Sequence, residues 1–302
     1  MAEKVVISGG SGLIGTRLSQ LLLQKGYQVA HLSRSLHEDK TIRHYLWDLE
    51  AGKIEEGALQ DVSYVVNLAG ASIADKRWTP AYKQKVIKSR TTATSLLVRS
   101  LAEQGIKPRA FISASAINYY GADRGDELLR EQSSAGEDFM GSVCRAWEQA
   151  AESVEEQGVR LVTLRIGVVL TPEGGALKQL MLPFRFGLGA ALGSGRQYFS
   201  WIHLDDLCQI IIKAMEDERM QGPYNAVASE PVTNAHFSAV LAAAMNKPYF
   251  LPHVPAPLMK LALGERAIMV LGSARGSADK LLKAGYKFSY PELEPALQHL
   301  LK

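Results

Sequence analysis

The chain has 302 residues, of which 47% are hydrophobic, and a formal net charge of +3, so it is long enough to bury one large core or two modest ones. The small charge excludes the basic excess that steers proteins to nucleic acid or anionic lipid, and no apolar run reaches membrane-spanning length, so we expect neither partner. Two cysteines outside any CxxC pattern predict neither a disulfide framework nor a metal site. A first strand that begins within a few residues of Met1 leaves no room for a signal peptide, so we expect a cytoplasmic protein.

The first predicted elements are a strand, a tight turn and a helix. A β-branched run, Val5–Ile7, leads into glycines spaced three apart and then into leucines at helical spacing. The first glycine permits the turn, the second lets the backbone approach a pyrophosphate, and the third lets the helix pack on the strand. Free N–H groups at the helix N-terminus favour phosphate. We predict a dinucleotide site here rather than a flexible surface turn. Its cofactor-binding residues are Gly9, Gly12, Leu13, Ile14 and Gly15.

The end of the second predicted strand, Tyr27–Leu32, indicates which dinucleotide binds. About twenty residues beyond the glycine turn, an NAD-selective site places a carboxylate on the ribose 2′-hydroxyl. This chain has Ser33 and Arg34 there, and a guanidinium binds the 2′-phosphate that a carboxylate would repel. We therefore predict NADP(H), the alternative being that Arg34 is a solvated loop residue. Asp48, after a third short strand, either accepts a hydrogen bond from the adenine amino group or shapes a turn.

The fourth predicted strand, Val62–Leu68, ends in small residues. Leu68, Ala69 and Gly70 suit the carboxyl end of a central parallel strand that a cofactor crosses, although a tight turn explains them too. The helix predicted over 80–104 then places Arg90 in the middle of its apolar face. A buried guanidinium needs a partner. We expect either the phosphates or ribose of the cofactor, or an internal salt bridge.

Motifs along the whole chain carry a family resemblance. They are the glycine turn, Asn67–Gly70, Ser113–Ser115 leading to Tyr120 and Gly121, Arg77–Thr79, residues 187–189, and Ser200–Leu207. With these motifs the chain resembles the extended short-chain dehydrogenase/reductases of the nucleotide-sugar epimerase branch, and within it the atypical epimerase family subgroup, whose function is largely unknown. The resemblance also covers the C-terminal helical segment. It implies a nicotinamide cofactor and hydride transfer to or from a sugar-like substrate.

The chain departs from that family at the proton-transfer pair. The family uses a tyrosine and, four residues later, a lysine; aligning the helical motif at Trp147 places Met140 and Cys144 there, and no YxxxK occurs elsewhere. Losing a positioned acid or base costs about 10²- to 10⁴-fold in rate. Ser115 matches the family's hydroxyl position. Tyr119 or Tyr120 is a substitute proton donor by position alone, and the alternative is aromatic packing.

The second half of the chain contributes candidate nicotinamide and substrate contacts. The resemblance implies that the backbone of the 166–170 run, with Val169, skirts the nicotinamide. Arg185 and Arg196 either hold an anionic substrate group or are solvated. Trp201 and His203 are assigned to the substrate side, where His203 is either an acid or base near neutral pH or a structural residue. Asp205 or Asp206 is the predicted N-cap of the next helix.

These elements predict an α/β protein with a Rossmann-type, doubly wound parallel sheet. We expect an NADP-binding domain over residues 1–170, completed by residues 205–228, and a smaller, mostly helical substrate lobe over residues 171–302. The function that follows is an NADP(H)-dependent oxidoreductase or epimerase acting on a small polar carbonyl, alcohol or sugar-like substrate, as a monomer or homodimer. The alternative is a cofactor-binding regulator or sensor, which the missing tyrosine and lysine favour.

Overall fold

The structure, a computed structural model, describes residues 2–35 and 41–302. Strands and helices alternate along most of the chain. The strands are β1 Lys4–Ser8, β2 Gln28–Ser33, β3 Arg43–Asp48, β4 Lys53–Ile54, β5 Val62–Asn67, β6 Ala110–Ala116, β7 Leu128–Leu129, β8 Arg160–Ile166, β9 Val168–Leu170, β10 Tyr198–Phe199, β11 Trp201–His203, β12 Gly222–Ala226, β13 Val232–Thr233 and β14 Arg275–Gly276. The α-helices are α1 Leu13–Gln24, α2 Pro80–Glu103, α3 Phe139–Glu152, α4 Gly175–Arg185, α5 Leu204–Glu216, α6 Asn234–Ala244, α7 Ala256–Leu263, α8 Ile268–Leu271, α9 Asp279–Lys283 and α10 Leu293–Leu300.

Within the described residues, the main sheet has eight strands in the order β12-β8-β6-β5-β1-β2-β3-β4. Its pairings are parallel except for the antiparallel β3 and β4. The chain runs outward from β1 through β2 and β3 and then returns to β5 on the other side of β1. This reversal creates a switch point at the carboxyl ends of β1 and β5, where doubly wound folds bind ligands. The predicted fold class is confirmed, and β12, from within residues 205–228, pairs with β8.

Central strands are buried on both faces, because helices cover the sheet on each side. Val5 and Ile7 of β1 enter one hydrophobic cluster, while Val6 between them enters the other. Alternate residues of a strand point to opposite faces. The first cluster includes Leu18 of α1 and Ile211 of α5, and the second includes residues of α2. The helices thereby hold the end of β1 at a fixed position in a rigid sheet.

A third cluster lies in the second half of the chain and joins α4, α6 and α10. Trp201, Phe237 and Leu297 are buried in it. Gly222–Ala226 leaves that half and pairs with β8, so the two halves of the chain interleave. The domain boundary at residue 170 stays a prediction.

The helix α3 ends at Glu152, where the chain continues as a short 3₁₀ helix, Glu155–Gln157, and turns at Gly158 with φ +76°. One predicted helix end is wrong. The N-cap of α5 is His203, whose ring nitrogen Nδ1 accepts the N–H of Asp205 at 3.0 Å. A histidine acceptor is a rare cap, which explains why the following carboxylates were the expected choice.

Candidate cofactor site

The glycine turn between β1 and α1 is shaped by contacts that leave no space for side chains. Gly9 has φ +74°, and a Cβ there would lie 3.0 Å from the carbonyl carbon of Leu68. A Cβ on Gly15 would lie 2.5 Å from the carbonyl oxygen of Gly9. The spacing of these glycines is therefore set by the approach of α1 to the turn and of the turn to the end of β5.

The N-terminus of α1 opens on this turn. Its N-cap, Gly12, makes no side-chain hydrogen bond, and the first helical turn contains no acidic residue. The N–H groups of Leu13 and Ile14 have no partner within the helix, because the first turn of any α-helix lacks acceptors for its donors. These donors and the helix dipole together favour an anion at this point.

A buried polar network fixes the two strand ends beneath the turn. The hydroxyl of Ser8 donates to Oδ1 of Asn67 at 2.7 Å, and Nδ2 of Asn67 donates to Oγ1 of Thr94 at 2.8 Å. This network connects β1, β5 and α2 at the switch point. Sequence reasoning missed it, because Ser8 and Thr94 read as ordinary strand and helix residues.

Gly10 is a further residue whose role sequence reasoning missed. A Cβ there would lie 2.3 Å from Cδ2 of the buried His31. The His31 ring is held by a 2.8 Å hydrogen bond between its Nε2 and the hydroxyl of Ser19 on α1. Gly10 therefore completes the packing of β2 and α1 around the turn.

The 2′-phosphate candidates lie at the carboxyl end of β2, beside β1. Arg34 is exposed and directly follows the strand, so its guanidinium is available to a ligand at this edge. Ser33 is partly buried, with its hydroxyl 3.2 Å from Nδ1 of His44. Asp48 ends β3, and its Oδ1 accepts the N–H groups of Glu50 and Ala51, both at 2.9 Å. These bonds favour the turn-shaping alternative for Asp48 over adenine recognition.

Arg90, on α2, places its guanidinium beside the residues that follow β5, and it has no carboxylate partner among the described residues. Its Nη1 donates to the carbonyl oxygens of Ala71 and Val86, each at 3.0 Å. Its Cζ is 5.0 Å from the ring centroid of Trp147, and a Cβ on Gly70 would lie 3.0 Å from it. Burial lowers the pKa of this guanidinium. The salt-bridge alternative is therefore absent from the part of the chain that the structure describes.

The positions of the family's proton-transfer pair are buried and apolar. Met140 packs in a cluster with Trp78, Tyr82 and Val86. Cys144 is 3% exposed, and burial raises the pKa of its thiol to about 12. Neither side chain can donate or accept a proton near neutral pH.

The predicted catalytic groups Ser115 and Tyr120 both make buried hydrogen bonds, and their catalytic role stays a prediction. The hydroxyl of Ser115 donates to Oε1 of Glu148 at 2.6 Å. Tyr120 is fully buried; its hydroxyl donates to Oδ1 of Asn225 at 2.7 Å and accepts from Nη1 of Arg165 at 2.9 Å. Burial raises the pKa of Tyr120 to about 12.

Tyr119, the other candidate phenol, is half-buried. The guanidinium carbon of Arg165 lies 3.4 Å from its ring centroid, and its ring meets that of Tyr120 edge to face at 5.4 Å. Aromatic packing therefore accounts for its ring. No described hydrogen bond engages its hydroxyl, so a role in proton transfer stays a hypothesis.

The substrate-side assignments divide into two buried and two exposed residues. Trp201 is 1% exposed and lies in β11, paired with β9 and its Val169. His203 is 2% exposed and stacks on Tyr290 with ring centroids 4.0 Å apart, and burial lowers its pKa to about 4. This burial favours the structural alternative for His203, and the assignment of both residues to the substrate side stays a prediction. Arg185 and Arg196 are exposed and stay candidates.

Residues 2–35 and 41–302 contain neither a cluster of metal ligands nor a helix that could cross a bilayer. No three His, Cys, Asp or Glu side chains come together there in an arrangement that would hold a metal ion. None of the helices in these ranges is both long enough and apolar enough to cross a bilayer.

Comparison with known proteins shows which family the chain is similar to. The model of the NAD dependent epimerase/dehydratase family matches residues 5–227, and that of a domain of unknown function, DUF1731, matches residues 254–300. The chain is 35% identical to the epimerase family protein YfhF of Bacillus subtilis, over 98% of this chain and 97% of that protein. It is 36% identical to the mouse epimerase family protein SDR39U1, over 99% of both chains. The crystal structure of human epimerase family protein SDR39U1 (isoform 2) with NADPH superimposes with a TM-score of 0.89 at 34% identity, covering 99% of both chains.

Proposed function

Because the chain belongs to the NAD dependent epimerase/dehydratase family, we propose that it binds NADPH across the turn between β1 and α1. The observation that carries this proposal is the close packing of Gly15 on Gly9, which presents the first turn of α1 at the sheet's switch point. The N–H groups of Leu13 and Ile14 would hold the pyrophosphate, and Arg34 would bind the 2′-phosphate. The human relative crystallised with NADPH supports the same choice of cofactor.

We assign Arg90 to the same cofactor. Its guanidinium lies against Gly70 at the end of β5, and its described hydrogen-bond partners are neutral carbonyls. A partly buried cation without a carboxylate is costly, and a bound phosphate or ribose oxygen would offset that cost.

We propose further that the protein is an oxidoreductase acting on a small polar carbonyl or alcohol. The bound cofactor would supply the hydride. The chain would supply binding groups around it: the backbone at Val169 beside the nicotinamide, and Arg185 and Arg196 for an anionic part of the substrate. Tyr119 is the proton-donor candidate that we favour, because Ser115 and Tyr120 both make buried hydrogen bonds.

A second candidate function is an NADPH-binding sensor that regulates a partner. Met140 and Cys144 favour it, since both replace the family's proton-transfer groups with buried side chains. A protein that binds the cofactor without a proton relay is suited to report its concentration rather than to consume it.

The test is NADPH consumption by the purified protein with a panel of small aldehydes, ketones and keto sugars. An oxidoreductase consumes NADPH with at least one of them, and Tyr119→Phe then slows turnover by about 10²-fold or more if this phenol donates the proton. Tyr27→Phe, in the turn between α1 and β2, is the matched control and leaves turnover unchanged. Stabilisation by NADPH without consumption across the panel would instead support the sensor.

A further inference from the structure

The most exposed large apolar side chains gather in two stretches of the second half of the chain. Among the described residues, the six with the highest exposed fractions range from 52% to 83%. We call them the apolar face; they are Leu182, Phe186, Leu188, Phe250, Leu258 and Leu261. Exposed apolar groups that cluster in this way mark an interaction surface rather than ordinary surface variation.

The two stretches lie side by side. The N–H of Val254 donates to the carbonyl oxygen of Ala191 at 2.8 Å, and the N–H of Gly193 donates to that of Val254 at 2.8 Å. A Cβ on Gly187 would lie 3.8 Å from Cγ of Pro248. The loop after α4 and the segment that leads into α7 therefore form one continuous surface.

The helix α7 has an unusual composition for its exposure. Its sequence is Ala-Pro-Leu-Met-Lys-Leu-Ala-Leu, and none of its residues is buried. Lys260 is its one charged residue, and a helix with so few polar residues is normally buried in a core or in lipid. Its exposure indicates an apolar environment that the chain itself does not supply.

Within the two stretches the charge is of one sign, although the exposed Glu265 follows the second stretch directly. Residues 174–204 and 231–264 contain no Asp or Glu, although the chain has 31 of them. The five Lys and Arg residues of these ranges are all exposed; they are Lys178, Arg185, Arg196, Lys247 and Lys260. Exposed leucine and phenylalanine beside lysine and arginine, without carboxylates, is the composition of helices that lie in the interface of an anionic membrane.

We propose that the apolar face docks on the surface of an anionic lipid bilayer. Its leucines and phenylalanines enter the boundary between headgroups and acyl chains, and Lys178, Lys247 and Lys260, the cations of the face that the proposed function does not use, meet anionic headgroups. A second copy of the chain is a poorer occupant, because a two-fold interface would bring the same cations against each other. We expected no membrane partner from the net charge of +3. That total does not reveal a cationic face, because the carboxylates that balance these cations lie elsewhere in the chain. The inference is independent of the proposed oxidoreductase activity.

Vesicle flotation with the full chain tests the inference. We expect recovery with vesicles of phosphatidylcholine and phosphatidylglycerol, little with phosphatidylcholine alone, and a loss of recovery as salt is raised. Leu261→Ser weakens partitioning about tenfold, and Lys260→Ala weakens it about fivefold. The matched controls Leu282→Ser, on α9, and Lys53→Ala, on β4, replace exposed residues outside the face and leave partitioning unchanged. Thermal melting of every variant confirms that it is folded.

Equal and negligible recovery with both vesicle compositions overturns the inference, as does a loss with Leu282→Ser that equals the loss with Leu261→Ser. Light scattering over a range of protein concentrations supplies a third criterion. A dimer that Leu261→Ser abolishes, in a protein that does not float with vesicles, assigns the face to a second copy and also overturns the inference.

Discussion

Glu148 and Arg165 form a bidentate ion pair in the interior, with Nε 3.0 Å from Oε1 and Nη2 2.9 Å from Oε2. Their side chains are 8% and 4% exposed, and the hydroxyl of Ser115 donates to the same carboxylate. The pair connects α3 to β6 and β8, and it raises the pKa of Arg165 above its ordinary value. The hydroxyl that the family resemblance assigned to catalysis is therefore bonded to this buried pair, and its catalytic role stays a prediction.

Removing one member of this pair leaves an uncompensated buried charge. We expect Glu148→Ala to lower the free energy of unfolding by about 3–5 kcal/mol. The control is Glu103→Ala on α2, which removes the partner of Arg99 from a pair that is more than half exposed and costs less than about 1 kcal/mol. Urea denaturation measures both, and equal losses would contradict a structural role for the buried pair.

His203 makes stability depend on pH. Burial lowers its pKa from 6.5 to about 4, so the unfolded chain binds its proton more readily than the folded protein does. Its contribution to stability is complete above pH 6.5 and is lost as the pH falls toward 4, by about 3 kcal/mol in total. In His203→Asn, which keeps a cap acceptor, the stability loss over this range is smaller. His236→Asn, at an exposed position, leaves the pH profile unchanged; a similar change in both variants would contradict the assignment.

Substitutions at two glycines of the turn should differ in their effects on stability and on NADPH binding. Gly15→Ala forces a Cβ into the backbone of Gly9 and Gly10, so we expect it to destabilise the protein without ligand by about 2 kcal/mol or more. A Cβ on Gly12 meets only the carbonyl oxygen of Gly9, at 3.3 Å. Gly12→Ala should therefore retain stability within about 1 kcal/mol while weakening NADPH binding. Calorimetric titration and melting distinguish the two variants, and unchanged NADPH affinity in Gly12→Ala would place the pyrophosphate elsewhere.

Substitutions of Tyr120 and of its neighbour Tyr119 should lower the free energy of unfolding by different amounts. Tyr120→Phe removes a hydroxyl that Arg165 and Asn225 both use, so it costs about 1–3 kcal/mol of unfolding free energy. Tyr119→Phe keeps the ring against Arg165 and removes no described hydrogen bond, so its stability stays within about 0.5 kcal/mol of the unsubstituted protein. Chemical denaturation measures the unfolding free energy of both variants. A larger loss in Tyr119→Phe than in Tyr120→Phe would contradict the hydrogen-bond assignment of Tyr120.

The sequence predicted the elements whose signals are local. β-branched runs, the glycine spacing and the helical periodicity around Arg90 identified the central strands, the turn and α2 within a residue or two. Residues 205–228 were also predicted to complete the first domain, and Gly222–Ala226 within that range pairs with β8.

Side-chain partnerships over long sequence separations could not be predicted in the same way. Asp206 accepts the hydroxyl of Tyr286 at 2.8 Å and the N–H groups of Ser289 and Tyr290 at 2.8 and 2.9 Å. It was read as a candidate N-cap because its partners lie about eighty residues away. The buried partners of Ser115, Tyr120 and His203 could not be predicted for the same reason, because these partners are distant in sequence.

Binding of NADPH at the glycine turn, with Arg34 on its 2′-phosphate, is the central claim, and a thermal melt with NADPH and with NADH tests it most directly. At about a hundred times its dissociation constant, a ligand stabilises a protein by roughly 2.7 kcal/mol. We predict that NADPH raises the melting temperature more than NADH does. This difference between the two nucleotides becomes smaller in Arg34→Ala. It persists in the control Arg145→Ala, which removes an exposed arginine from α3. A larger shift with NADH, or no shift with either nucleotide, would contradict it.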